Sequence, residues 1–272
     1  MNLVVDMTSY EDTFNSITTC FNINNEHLVN DFFIGKDREE ISAPNFLSFL
    51  GKSTAPIFEL PLQLNCLHVT TNADECASIQ KIGIKNLQRV VTDNTPFREY
   101  LKRNGIEINV HNAVLVSDGT EYKLNRDANG ASASAVGSDS EGQLEYLSWK
   151  LYKDFPVWGF VCTPNALSYG GHVNRRPEFL SNISNFLGLP ELVEEWQEAT
   201  KPSVIKYGLP LTEYEFPNDR QILANLLLIT AYDYIIYSEP RSHEFSLLTA
   251  HTYVKPENIL EIYTAEQYIR NK

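Results

Sequence analysis

Disulfides, zinc-binding clusters and membrane-spanning runs are all missing from this chain of 272 residues. Its four cysteines, Cys20, Cys66, Cys76 and Cys162, form no CxxC pair and no metal-type spacing. That is the pattern of buried thiols in a reducing compartment. HExxH is absent, so no metal is expected. No run reaches the ~18 consecutive apolar residues that span a bilayer, and the longest, Ile222 to Ile229, is broken by Asn225. Met1-Asn2-Leu3-Val4-Val5-Asp6 has neither the basic nor the apolar region of a signal peptide. The expectation is a cytoplasmic protein with no membrane. Positive charge is scarce too: 22 Lys and Arg against 35 Asp and Glu leave a net −13. Such a chain repels nucleic acid at long range unless basic groups cluster locally. Lys81, Lys85, Arg89, Arg98, Lys102 and Arg103 come closest to a cluster, and their alternation with apolar residues fits a solvated face.

What is present is an ordinary folding composition, 43% hydrophobic and 11% aromatic, long enough to bury a core without disulfides. Residues 1–60, with Phe14, Ile17, Phe21, Leu28, Phe32 and Phe33 and interrupting prolines, predict an N-terminal helical extension packed on a main domain of residues 61–272. The main domain opens with a strand, Leu64 to Val69. Asn72 and Glu75 form a capping box for a helix that Gly83 ends. A second helix covers Pro96 to Asn104, and Asn112 to Leu124 reads as a hairpin turning at Asp118-Gly119. Residues 125–142 have little to bury and predict a mobile loop. Next come a helix (Gln143–Lys153), a strand (Val157–Cys162) and helices over Glu178–Leu187, Pro190–Ala199 and Asp219–Thr230. The last third predicts strands at Tyr232–Tyr237, Phe245–Val254 and Leu260–Tyr263. This mixed order favours an α+β architecture.

Two separated stretches carry the chemistry. Leu67-His68-Val69-Thr70, with the helix closing at Ile82-Gly83-Ile84, resembles the opening motif of the ADP-ribosyltransferase superfamily. His243-Glu244-Phe245, with Val254-Lys255-Pro256-Glu257-Asn258-Ile259, resembles its closing motif. Between them, Pro156 to Phe160 with Tyr169 is similar to the middle strand and aromatic. The likeness spans residues 64 to 263 and is nearest to DarT-like toxins and the mRNA-modifying toxins of phage-defence toxin–antitoxin–chaperone systems. It implies a split β-sheet core, NAD as co-substrate, transfer of ADP-ribose with release of nicotinamide, an antitoxin partner, and single-stranded RNA slightly ahead of DNA or protein as acceptor.

The residue types suit that reaction. Nicotinamide departs as a neutral base and leaves oxocarbenium character on its ribose. A carboxylate stabilises that charge, the role implied for Glu244, with Arg241 orienting it. His68 offers one donor and one acceptor nitrogen to the adenosine-ribose hydroxyls, and Thr70 adds a hydroxyl. Tyr169 offers a ring to nicotinamide, and Arg175 or Arg176 a fork to the pyrophosphate. Each has a plainer reading: a structural histidine, a solvated ion-paired turn, a core aromatic, surface arginines. Two other functions stay open. Ala166-Leu167-Ser168-Tyr169-Gly170 resembles the nucleophile elbow of a serine hydrolase using Ser168. The net charge alone also fits a non-enzymatic acidic binding module.

Overall fold

The computed structural model of the protein describes residues 2–23, 27–129 and 139–271. The chain begins with β1 (Leu3–Asp6) and helices α1 (Tyr10–Phe21), α2 (His27–Phe33), α3 (Ala43–Phe49) and α4 (Pro56–Glu59), followed by the long strand β2 (Leu62–Asn72). Then come α5 (Ala77–Ile82), α6 (Leu87–Thr92), α7 (Pro96–Arg103), β3 (Ile106–Asn109), β4 (Val114–Ser117) and β5 (Thr120–Lys123). They lead to α8 (Ser140–Tyr152), β6 (Trp158–Cys162), α9 (Glu178–Leu187), α10 (Glu191–Ala199), β7 (Lys201–Pro210) and β8 (Tyr214–Phe216). The chain closes with α11 (Arg220–Tyr237), β9 (Glu244–Leu248), β10 (Ile259–Thr264) and α12 (Ala265–Arg270). It is a mixed α and β protein with one large, mostly antiparallel sheet and a small second one.

The large sheet runs β10-β7-β2-β6-β9-β8, with β1 added parallel to β2. One edge of β2 pairs with β7 from Gln63 to Asn72. Its other edge is divided. Leu62 to Asn65 pair with β1, and Leu67 pairs with Phe160 of β6. Beyond Leu67 no described strand covers that edge. The sheet therefore splits between its two middle strands, at the end of β2 where His68 and Thr70 stand.

Three apolar clusters surround this split. The largest joins β1 and the N-terminal helices to Ile205 and Tyr207 of β7 and to Leu223, Leu227 and Ala231 of α11. A second fills the space among α6 to α10 and the small sheet, with Phe97, Leu151, Ile183 and Trp196. A third holds Leu67, Val69, Phe160, Val204 and Tyr268 on the opposite face of the large sheet. Residues 1–60 thus carry helices and a strand, and they share the largest core with the rest of the chain. Lys206 reinforces the join, placing its ammonium 2.8 Å from both Asp6 and Asp12.

Several local expectations hold. The hairpin turns at Asp118-Gly119, both with positive φ (47° and 79°), as the tight two-residue turn requires. α9 has the expected bounds. Part of the expected loop, residues 130–138, lies outside the described residues. Its far end is already helical, with Asp139 capping α8 by accepting from Gly142 N–H.

Other expectations are corrected. Asn72 does not cap a helix. It ends β2, paired with Lys201, and its side chain accepts from Cys76 N–H at 2.7 Å. Strand pairing with β7 outlasts the capping signal, and α5 starts only at Ala77. Tyr232 to Tyr237 is the last part of α11 rather than a strand. The β propensity of these residues amounts to ~1 kcal/mol or less each. Continuing the helix buries Tyr232 and brings Asp233 to Arg38 at 3.1 Å, which outweighs it. β7 was not anticipated because it is buried from Ser203 through Leu209 and shows no alternation.

Candidate functional site

A cavity of about 320 Å³ opens at the split, near the lower end of the ~300–1,000 Å³ typical of ligand pockets. One wall is the free edge of β2, His68 to Asn72, and another is Asp154 to Trp158 leading into β6. Ile79, Ile82 to Leu87, Phe97, Val173, Pro177 to Phe179 and Trp196 also line it. The three apolar clusters meet here through Val69, Ile84 and Val157, and Phe97 with Trp196. Trp196 ties the helical side to the sheet by donating its indole N–H to Thr71 Oγ1 at 2.8 Å.

The turn after α5 shapes one wall. Gly83 has φ 79° and ψ −174°, a region open to glycine alone. It lets Ile84 and Val254 exchange backbone hydrogen bonds of 2.8 and 3.0 Å. The two stretches singled out in the sequence, Ile82-Gly83-Ile84 and the segment starting at Val254, therefore touch.

His68 and Thr70 both line the cavity. His68 Nδ1 lies 2.9 Å from the Trp158 carbonyl. A carbonyl only accepts, so Nδ1 carries the proton in that bond. Nε2 of the neutral ring is then an acceptor, with no partner among the described residues. Enclosure by the cavity walls pushes the His68 pKa below its usual value of 6.5, and the Trp158 carbonyl opposes this. The lowered value has a consequence for stability. As pH falls below 6.5 the unfolded chain takes up a proton that the folded chain refuses, so stability declines until the folded pKa is reached. His68→Gln should therefore flatten the pH dependence of the melting temperature between about pH 7.5 and 5.5. An unchanged slope in thermal melts would remove His68 as the cause.

Glu244 stands at the head of β9, half-buried, and accepts a 2.7 Å hydrogen bond from Ser242 Oγ. Leu67, Phe160 and Phe245 form one row across β2, β6 and β9. Side-chain alternation puts His68, and Glu244 with Ser246, on the same face of the sheet. However, Glu244 lies on the far side of that row from the cavity and is not part of its lining. The structure brings the two residues to one face but not into one cavity.

The other expected residues also lie outside the lining. Tyr169 packs against Phe160, His243 and Phe245, with ring centroids 5.5 to 5.6 Å apart. No contact joins Arg241 to Glu244 among the described residues: the Arg241 guanidinium lies over Tyr237 at 4.9 Å, and Ser242 Oγ donates to Glu244. Arg175 is exposed. Its neighbour Arg176 is half-buried, with Nη1 enclosed and no hydrogen-bond partner among the described residues. Burial lowers its pKa while Glu178 pulls the other way. Ser168 ends a short 3₁₀ turn, exposed, and donates to the Asn165 carbonyl at 2.9 Å. This is not the strand-to-helix elbow of a serine nucleophile.

Inside the cavity lies a chain of polar contacts to which no sequence motif points. Trp158 Nε1–H donates to Asp154 Oδ1 at 2.8 Å, and Lys150 bridges Asp154 at 2.7 Å and Glu178 at 3.0 Å. Burial pulls the Lys150 pKa down, but the two carboxylates outweigh it and hold the ammonium charged. The available signal was Lys150 four residues before Asp154 at a helix end, the less favourable order for an isolated helical pair. Here a buried site holds it. Comparison with protein-family models, curated proteins and solved structures returned no match.

Proposed function

We propose that the protein is an NAD-dependent mono-ADP-ribosyltransferase of the superfamily it resembles, acting as a toxin or anti-phage effector. The supporting observation is the split between β2 and β6, which opens a cavity edged by His68 and Thr70, next to the Gly83–Val254 junction of the two motif segments. His68 Nε2 accepts from a ribose hydroxyl, and Thr70 lies on the same edge. The enclosed, unpartnered Nη1 of Arg176 supplies the pyrophosphate contact expected of Arg175. Phe97 and Phe155 provide the aromatic walls expected of Tyr169.

NAD must extend out of the cavity to reach Glu244, and the buried Ser246 and Tyr207 stand between them on that face, so the role of Glu244 rests on the motif resemblance. As nicotinamide leaves, the Glu244 carboxylate stabilises the positive charge on the ribose. Glu178 is the rival for that role, because it lines the cavity and is 44% exposed there.

The test is release of nicotinamide from NAD by wild type, Glu244→Gln and Glu178→Gln. Loss in the first variant alone supports the assignment. Loss in the second alone transfers the role to Glu178. No release by wild type overturns the reading, and fluorophosphonate labelling of Ser168 would then revive the hydrolase. Adenylate-labelled NAD in a cell lysate identifies the acceptor, and growth arrest on expression, relieved by Glu244→Gln, tests the toxin role.

A further inference from the structure

The cavity offers a ligand hydrogen-bond acceptors but no free ammonium. The ionisable residues of its lining are His68, Lys85, Lys150, Asp154 and Glu178. Lys150 is bound by two carboxylates, Asp154 at 2.7 Å and Glu178 at 3.0 Å, and its side chain is 14% exposed. Lys85 is bound by Asp93 at 2.5 Å and is 12% exposed. Arg89 shares Asp93 from outside the lining, with its guanidinium 4.6 Å over Tyr253. His68 gives its Nδ1 proton to the Trp158 carbonyl, so Nε2 presents a lone pair. Trp158 connects the two groups, because its indole N–H donates to Asp154 Oδ1 at 2.8 Å. One ammonium thus lies between two carboxylates, a single residue away from His68. Glu178, 44% exposed, is the more open of the two carboxylates.

We propose that Glu178 is a specificity-determining residue. With Asp154 and the His68 acceptor it admits a ribose with free hydroxyls and rejects one that carries a phosphate. This deepens the proposed transferase function and rests on it. A ribose hydroxyl has a proton to donate to Nε2. A phosphate monoester at neutral pH is mostly a dianion that offers acceptors, so it faces the Nε2 lone pair and the Glu178 charge unpaired. Enclosing such a charge without a cation is strongly unfavourable. The pyrophosphate of NAD escapes this filter, because Arg176 stands outside the lining. The ligands told apart are NAD and NADP, which differ by one phosphate on the adenosine ribose.

The experiment is a titration of the full chain with ADP-ribose and with 2′-phospho-ADP-ribose, which have no nicotinamide bond to break. Binding is read from the fluorescence of Trp158 and Trp196, which line the cavity. Because the readout is binding, a catalytic part for Glu178 does not move it. In wild type the phosphorylated ligand should bind about tenfold more weakly or worse, as expected when like charges are brought together. Glu178→Gln should narrow the gap to a few-fold by improving the phosphorylated ligand. Equal binding of the two ligands by wild type would overturn the proposal, and this comparison needs no variant. So would an unchanged gap in Glu178→Gln with an intact melting profile. Nicotinamide release from NAD, measured in parallel, separates the two readings. Release without discrimination between the ligands overturns the filter alone. Discrimination without release keeps the filter and overturns the transferase, and neither binding nor release overturns both.

Discussion

Glu244→Gln should reduce nicotinamide release from NAD by about a hundred- to a thousandfold, the usual cost of removing one electrostatic stabiliser of a transition state. The substitution keeps the shape and the oxygen that accepts from Ser242 Oγ at 2.7 Å, so β9 and its pairing with β6 should survive. What disappears is the negative charge that opposes developing positive charge on the ribose. The loss should fall on turnover more than on binding, because the carboxylate acts mainly when the bond is breaking. A steady-state assay of nicotinamide release separates these effects. Wild-type turnover with an intact melting profile would end the Glu244 assignment. Glu178→Gln belongs in the same experiment, since Glu178 lines the cavity and its carboxylate is more exposed than that of Asp154.

Gly83→Ala should destabilise the fold by roughly 3–5 kcal/mol, combining backbone strain and steric overlap. A Cβ at this position would lie 2.0 Å from the Val254 carbonyl oxygen, and φ is +79°. Relief requires the backbone to separate, which breaks the paired hydrogen bonds between Ile84 and Val254. Because Gly83 and Ile84 also line the cavity, any folded remainder should bind ligand poorly. Urea unfolding measures the stability term through the shift in midpoint. A midpoint equal to wild type would mean that the turn relaxes without strain, and the argument for glycine here would fail.

These two sites show different degrees of legibility. Gly83 was readable because a helix stop calls for positive φ. Its contact with Val254 was not, since nothing in either segment names its partner. His68 was readable as a strand-end polar group beside a helix. Its tautomer depends on the Trp158 carbonyl, which is ninety residues away and reaches it only because β2 and β6 pair at Leu67–Phe160 and then part. Tyr169, Arg241 and Arg175 fit the chemistry by residue type alone; in the structure Tyr169 packs among Phe160 and Phe245, Arg241 lies over Tyr237 and Arg175 is exposed, all outside the cavity lining. Lys150, Asp154 and Glu178 carry no decisive sequence signal, because acidic and basic residues are usually solvated. Only the tertiary fold encloses them at the cavity.

By itself the sequence determined the kinds of local structure: the Asp118-Gly119 turn, the bounds of α9, the stop at Gly83 and the α+β class. These follow from backbone sterics and short-range periodicity, which act over a few residues. Tertiary structure decided the rest. It turned Tyr232–Tyr237 into helix, placed the evenly buried β7 between β10 and β2, and opened the edge of β2 into a cavity. Each outcome depends on burial between distant segments, and the free energy of that burial exceeds the small preferences that a local stretch expresses.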